Sequence, residues 1–287
     1  METPKILDVD ILVANYNNAS FLDTFFNSVI HSTVWPKKLV IVNDASSDDS
    51  ERIIRSYAKR YSFICPIYLE ENKGFANALN IGIDYLTSTY TLRIDPDDYM
   101  YSNRIEAQYN FISANGFDVV GSNIQYFDSS STKQLFKSNV VLSEEDIIMQ
   151  FKSGACGIIH GSTIIKTSLL KKYKYTQANV PAEDYELFSK IILGGGHVVN
   201  MGEVLTAVRV HMNSVSNFLP FSTIKKTFDL TESMWGIHHT PLFIRIRYAH
   251  LKYYRRFLYE HRAVKKYCYL VVSCLMAPMK VLKRFFK

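Results

Sequence analysis

The chain has 287 residues, 47% of them hydrophobic and 21% charged, which describes an ordered protein and excludes a disordered one. That length accommodates one large α/β domain with an appendage. The net charge of +6 is unevenly spread: residues 241–287 hold twelve lysines and arginines against a single acid, Glu260, a formal charge of +11 that leaves −5 for residues 1–240. Four cysteines, Cys65, Cys156, Cys268 and Cys274, form neither a CxxC pair nor a finger spacing, which favours a reducing compartment over a disulfide framework. Met1 to Lys5 lacks a basic region followed by an apolar core, so no secretory signal is expected.

The first 120 residues alternate short β-type runs with amphipathic segments. Asp10–Ala14 reads as a buried strand, followed by a helix from Ser20, a capping residue type, to about Ile30. Leu39–Val42 is a second strand, with a helix from Asp48 or Asp49. A third strand lies near Ile64–Leu69, and a helix follows Asn72-Lys73-Gly74. Tyr90–Ile94 is a fourth strand, a helix spans about 102–114, and Phe117–Val120 closes the set. Apolar strands alternating with helices imply a parallel sheet covered on both faces. Beyond residue 121, strands are expected at 123–128, 157–165 and 203–210, with helices near 143–152 and 182–193. Gly194-Gly195-Gly196 then reads as a helix stop. From about 220 the pattern is helical, aromatic and basic.

In an open α/β sheet, ligands bind at the carboxyl ends of the strands. The polar residues collect at those ends: Asn15-Tyr16-Asn17 after the first strand, Asn43-Asp44 through Asp48 after the second, and Asp95, Asp97 and Asp98 after the fourth. If strand geometry persists, Asp95 and Asp97 project from one face, with Pro96 stiffening the link. Two adjacent carboxylates call for a cation or a proton between them, and oxygen-rich pairs of this kind suit magnesium or manganese. A solvated Asp-Pro turn is the alternative. No GxGxxG follows the first strand and no P-loop occurs, so a nucleotide here is held by side chains, loop amides and a cation.

Four ordered motifs resemble glycosyltransferase family 2: Val13-Ala14-Asn15-Tyr16-Asn17-Asn18, Val42 to Ser50, Asn72-Lys73-Gly74-Phe75-Ala76-Asn77-Ala78-Leu79-Asn80, and Arg93-Ile94-Asp95-Pro96-Asp97-Asp98. The resemblance covers about residues 8–215. Ala14 stands where the family usually has proline, and Asn43 replaces the first of two usual aspartates. The resemblance implies a GT-A fold, a Rossmann-like and mostly parallel sheet flanked by helices, and inverting transfer of a sugar from a nucleotide donor. Ala14, Asn15, Tyr16, Asn17, Asp44, Lys73, Gly74, Asn77, Asp95 and Pro96 would then contact the nucleotide, with Asp44 reading a uracil base. Asp95 and Asp97 would hold Mn2+ or Mg2+, joined by His211 of the Arg-x-His ending. Asp184 would be the general base and Glu183 a neighbour orienting the acceptor, in a segment that otherwise reads as an ordinary helix start. His160 falls where the acceptor loop usually lies and is either an acceptor-side or a structural residue. A sugar nucleotidyltransferase, or a non-catalytic carbohydrate-binding scaffold of the same fold, are the competing readings.

The expected organisation is a glycosyltransferase domain over 1–215, with a nucleotide half (1–120) and an acceptor half (121–215), then a helical, basic region over 216–287. Residues 267–279 form an uncharged run of thirteen, short of the ~20 needed to span a bilayer. Apolar and aromatic residues beside dense positive charge suit a helix lying in the headgroup region of an anionic membrane. A basic helical pair packed on the domain is the alternative. Nucleic acid is not an expected partner, since no recognition fold accompanies the charge. Peripheral attachment to the inner face of the cell membrane, from the cytoplasm, fits a glycan or lipid-linked acceptor such as surface-polysaccharide assembly uses.

Overall fold

The computed structural model describes residues 4–129, 133–210, 220–260 and 262–278. The chain divides into two compact units, Met1–Val210 and His211–Lys287. The expected boundary after residue 215 falls within 211–219, outside the described residues.

The first unit begins with β1 (Ile6–Asn15), α1 (Ala19–Ile30), β2 (Trp35–Asn43), α2 (Ser50–Arg60), β3 (Ile64–Tyr68), α3 (Phe75–Ile83) and β4 (Tyr90–Arg93). The strands run parallel in the order β3-β2-β1-β4. Alternation explains why β1 is buried on both faces. Val9, Ile11 and Val13 join Leu22, Phe25, Phe26 and Val29 of α1 in one core, while Leu12 meets α3 at Gly82. Ser20 lies inside α1 rather than capping it. The Ala19 amide instead donates to Asp48 Oδ2 at 2.8 Å, and Asp48 Oδ1 accepts from the Ser50 amide at 3.0 Å. Partial burial works against ionisation of Asp48, yet hydrogen bonds from Ser50 and Ala19 hold its carboxyl below the ordinary value. One side chain thus secures the starts of two helices.

The remainder contains β5 (Tyr99–Met100), α4 (Arg104–Asn115), β6 (Val119–Asp128), β7 (Gln134–Lys137), α5 (Glu144–Lys152), β8 (Ile164–Lys166), α6 (Thr167–Tyr173), α7 (Glu183–Leu193) and β9 (Val198–Val210). Here antiparallel strands join the sheet, which is mostly parallel as expected. β8 inserts antiparallel between β4 and β6, and the expected strands at 117–120 and 123–128 are one strand, β6, paired in parallel with β9. The strand expected over 157–165 is short because Ser162 Oγ and Thr163 Oγ1 donate back to Ile159 O and His160 O, at 2.9 and 2.8 Å, closing a helical turn over His160–Ser162. Such local bonds compete with a strand ladder. Gly194 ends α7, and Gly195 follows with φ +85°.

The second unit contains α8 (Phe221–Trp235), α9 (Pro241–Tyr259) and α10 (Ala263–Met276). Ile224 and Phe228 of α8 pack with Ile244 of α9, and Thr240 caps α9 ahead of Pro241. Ser273 Oγ and His250 Nδ1, 2.9 Å apart and both buried, join α10 to α9. Among the described residues no helix is long and apolar enough to cross a membrane.

Gly82 tests the packing of α3 on the sheet. A Cβ there would lie 2.5 Å from Leu12 Cδ1 and 3.0 Å from Val42 Cγ2. Helix propensity favours alanine by about 1 kcal/mol, whereas overpacking a closed core costs about 1–3 kcal/mol. Gly82→Ala is therefore expected to lower stability in urea unfolding, by about 1 kcal/mol net.

Candidate active site

β1 and β2 end in register, Asn15 beside Asn43. Asn15 Nδ2 donates to Asn43 Oδ1 at 2.9 Å and to Ser46 Oγ at 3.2 Å, and Ser46 Oγ donates to Asn43 Oδ1 at 2.6 Å. A carboxamide at 43 thus serves as the acceptor that binds the two strand ends together. Asn15 keeps its own Oδ1 buried and unpartnered. Asn17, at φ 55°, accepts from the Ser47 amide at 2.8 Å while its own amide donates to Ser46 Oγ at 3.0 Å. Ala14 is buried, and Tyr16 is half exposed.

Asp44 organises the loop before α3. Its Oδ1 accepts from the Lys73 amide at 2.7 Å and its Oδ2 from the Gly74 amide at 2.9 Å. Gly74 has φ +86°, the left-handed region that favours glycine, and Asn77 Nδ2 donates to Lys73 O at 2.9 Å. Lys73 also pairs with Glu71. The first free amides of α3 go to a residue a hundred positions away: Gln177 Oε1 accepts from Ala76 N at 2.9 Å and Asn77 N at 3.1 Å. Asn80 and Tyr175 repeat the connection, with Asn80 Nδ2 donating to Tyr175 O and Tyr175 N donating to Asn80 Oδ1, both at 2.8 Å. The segment 175–177 is thereby tied to α3 and the loop that precedes it.

β4 ends at Arg93, earlier than expected, so strand alternation does not align Asp95 with Asp97. Both lie in a turn instead, the Asp98 amide donating to Asp95 O at 3.2 Å. Arg93, wholly buried, donates from Nη2 to Asp95 Oδ1 at 2.5 Å and from Nη1 to Ile94 O. Beneath it Arg104, also buried, donates from Nε to Gln108 Oε1 at 2.9 Å and from Nη2 to Arg93 O at 2.8 Å. Burial pulls Arg104 down to about 9, a guanidinium still charged at neutral pH. From β9, Arg209 closes the turn, its amide donating to Asp98 Oδ1 at 2.8 Å and its Nε to Asp97 O at 2.9 Å. Burial, then the charges of Asp97 and Asp95, push the Asp98 carboxyl well above its ordinary range.

The second acidic group opens α7. Burial raises Asp184 to about 6, with a contribution from Asp95, although the Tyr185 amide donates to Asp184 Oδ1 at 2.6 Å. Burial and then the neighbouring Asp184 raise Glu183 to about 8, and its Oε2 is buried without a partner. The opposing dipole of the helix N-terminus favours both charges, so burial wins. His160 Nε2 meets the Tyr175 hydroxyl at 2.7 Å, and its ring lies among Phe75, Tyr175 and Phe188. Burial and the Arg93 charge hold His160 well below its usual value, a neutral ring at pH 7.

The structure therefore gathers Asn15, Asn17, Asp44, Lys73, Gly74 and Asn77 at one edge of the sheet, with Pro96 buried beside Asp95 and Asp97. His211 lies outside the described residues. Arg93, Arg104, Tyr175, Gln177 and Arg209 were not assigned roles from sequence; the signals there were Arg93 ahead of the aspartate cluster and Arg209 in the Arg-x-His ending. Among the described residues no group of three or more His, Cys, Asp or Glu is arranged to hold a metal ion. The residues nonetheless suit a hard divalent cation. Asp95 and Asp97 offer carboxylate oxygens, and Gly161 leaves open the space where a Cβ would lie 3.2 Å from Asp95 Oδ2.

Known proteins share both this sequence pattern and this fold. Residues 10–174 match glycosyl transferase family 2. An uncharacterized glycosyltransferase of Rickettsia typhi is 29% identical over 239 residues, covering 79% of this chain and 70% of that protein. Staphylococcus aureus TarS 1-349, solved in complex with UDP-GlcNAc, superposes with a TM-score of 0.66 at 16% identity, over 96% of this chain and 83% of that one. The mannosyltransferase PcManGT of Pyrobaculum calidifontis, solved with GDP-Man and Mn2+, gives 0.60 at 15% identity, over 99% and 79%. The fold is GT-A. With more than half of its length matching the family and the strand-end motifs in place, this chain belongs to glycosyl transferase family 2 and is a glycosyltransferase that draws on a nucleotide-sugar donor.

Proposed function

We propose that the protein transfers a sugar, with inversion at its anomeric carbon, from a UDP-sugar to a hydroxyl of a glycan or lipid-linked acceptor, in a metal-dependent reaction. The observation that carries this reading is the Glu183–Asp184 pair, raised by burial and within the field of Asp95. The family match ends at residue 174, so the role of Asp184 rests on this geometry and on the ordered motifs before it. Uridine is favoured by the retained Asp44, and a lipid-linked acceptor of the surface-polysaccharide type by the basic helical unit that follows.

Asp184 takes the proton of the acceptor hydroxyl as that oxygen attacks the anomeric carbon. The donor's diphosphate departs on the opposite side, toward Asp95 and Asp97. Asp95 and Asp97 would hold Mn2+ or Mg2+, which when bound would supply positive charge against that developing on the diphosphate. Glu183 and Asp184 are too close to ionise independently, and the directions of their shifts separate their roles. Near neutral pH the proton resides on Glu183 and Asp184 is the carboxylate. Protonated Glu183 donates a hydrogen bond to the acceptor; ionised Asp184 accepts a proton from it.

Gln177 connects this base to the donor side. The same short segment that leads into α7 caps α3 behind the Lys73-Gly74 loop. Removing the amide leaves two helix-start donors unpaired and loosens both sides of the reaction together.

In transfer assays, Asp184→Asn lowers kcat by about 10²–10⁴-fold and leaves donor affinity near that of the native enzyme; an unimpaired kcat would remove the assigned base. For the native enzyme, kcat falls as pH drops through about 6, because Asp184 must be deprotonated to act. The raised value also means that the folded state holds this proton more tightly than the unfolded chain. Ionised Asp184 therefore costs stability as pH rises from its ordinary 3.8 to about 6. Asp184→Asn should then raise the unfolding free energy at pH 7, by up to about 3 kcal/mol. Gln177→Ala should cost about 1 kcal/mol in urea unfolding and raise KM for the donor while lowering kcat. Chelation should abolish transfer, with recovery on adding Mn2+; full activity in chelator would refute the metal role.

A further inference from the structure

The helical unit exposes a surface that glycosyl transfer does not require. On α10, Val264, Tyr267, Val271 and Leu275 are 79%, 62%, 58% and 76% exposed. Steps of three and four place them on one side of a helix with 3.6 residues per turn. The opposite side carries Ser273, wholly buried against His250 of α9. This helix is therefore turned with an apolar face outward and a polar residue inward, the reverse of what water alone selects. Leu242, Phe243 and Ile246 at the start of α9 are exposed as well.

Charge identifies the occupant. Arg245, Lys252, Arg256, Arg262 and Lys265 are exposed on α9 and around the start of α10, and Glu260 is the one acid between residues 241 and 287. A second copy would bring the same positive charge against itself. Nucleic acid would match the charge and leave the aliphatic face in water. An anionic lipid surface satisfies both, with acyl chains meeting the apolar face and phosphate headgroups meeting the cations. At 14 residues and 1.5 Å per residue α10 is about 21 Å long, short of the ~30 Å hydrocarbon core. It can lie in the interface and cannot span it.

We propose that the outward apolar face of α10, together with the exposed basic residues of α9 and the start of α10, docks this protein on an anionic membrane surface. The inference uses no active-site residue, so it stands or falls separately from the proposed reaction. The test is co-sedimentation of the full chain with vesicles of phosphatidylcholine alone or containing phosphatidylglycerol. Binding to the anionic vesicles is expected to be at least about tenfold tighter than to neutral ones. The double variant Val271→Glu, Leu275→Glu should weaken it by a further tenfold or more, with its soluble transferase activity unchanged as a check on folding. A Val271→Trp reporter, conservative at so exposed a position, should shift its emission to the blue on anionic vesicles. The proposal is overturned if the reporter's emission does not move while the protein pellets, or if the double variant binds as tightly as the native chain. It is equally overturned if the native chain ignores vesicles and is instead a dimer that the double variant dissociates, or an RNA binder.

Discussion

Two guanidinium groups buried at the end of β4 constrain everything around them. Arg93 and Arg104 are 1% and 0% exposed and lie against each other, Arg104 donating to the Arg93 carbonyl. Burying one cation costs several kcal/mol unless a countercharge and hydrogen bonds accompany it, and two adjacent cations add repulsion. The countercharges are the aspartates of the turn that follows, led by Asp95 on Arg93. β4 therefore stops at Arg93, because the chain must turn for Asp95 to reach back to the strand it has just left. The carboxylates that face a cation and a diphosphate in the proposed reaction are first of all what allows the sheet to close over two arginines. With Asp98 driven toward its neutral form by burial and by its neighbours, Asp95 and Asp97 are the carboxylates left to face Arg93, Arg104 and the Arg209 that closes the turn.

The same burial acts oppositely at the other end of the site. At β4 the Arg93–Asp95 ion pair relieves it in part, while Arg104 is still pulled down to about 9; at α7 Glu183 Oε2 is buried without a partner and backbone amides alone lower Asp184. Unrelieved burial is what turns ordinary acids into groups that exchange protons near neutrality. One polar edge of a sheet thus contains a partly ion-paired half and a charge-strained half. The strained half lowers stability, a cost commonly found where a fold carries chemistry.

Much of this was legible in the sequence because the first four strands are local patterns. Apolar runs, a capping aspartate and Asn72-Lys73-Gly74 each act through a few neighbouring residues, and their order exposes the polar strand ends. Those local patterns led to the family, and residues 10–174 match it. What could not be read was anything decided across the sheet. The insertion of β8 depends on pairing with β4 and β6, at residues 72–76 and 44–46 positions away. His160–Ser162 forms a turn because Ser162 and Thr163 bond their own backbone, a choice that β-branched composition alone does not reveal. Ser20 looked like the start of α1, yet the helix begins at Ala19, whose amide donates to Asp48 from another loop. Arg93 read as part of a motif; its weight comes from burial beside Arg104, which no spacing encodes.

The joint between donor and acceptor sides is built from amides, and the chemistry of the site explains why. Gln177 accepts two amides of α3, and Asn80 both donates to and accepts from the backbone at Tyr175. A carboxamide carries donor and acceptor together and adds no net charge. A lysine or glutamate in place of Gln177 could secure the same segment, but seven residues before Asp184 it would move that group's proton affinity. A cation would lower it, leaving a weaker base; an anion would raise it, leaving a base protonated at neutral pH. Neutral hydrogen bonds fix the position of the acid pair relative to the Lys73-Gly74 loop without resetting its titration. Position and protonation are thereby set by different residues: the first by Gln177 and Asn80, the second by burial and Asp95.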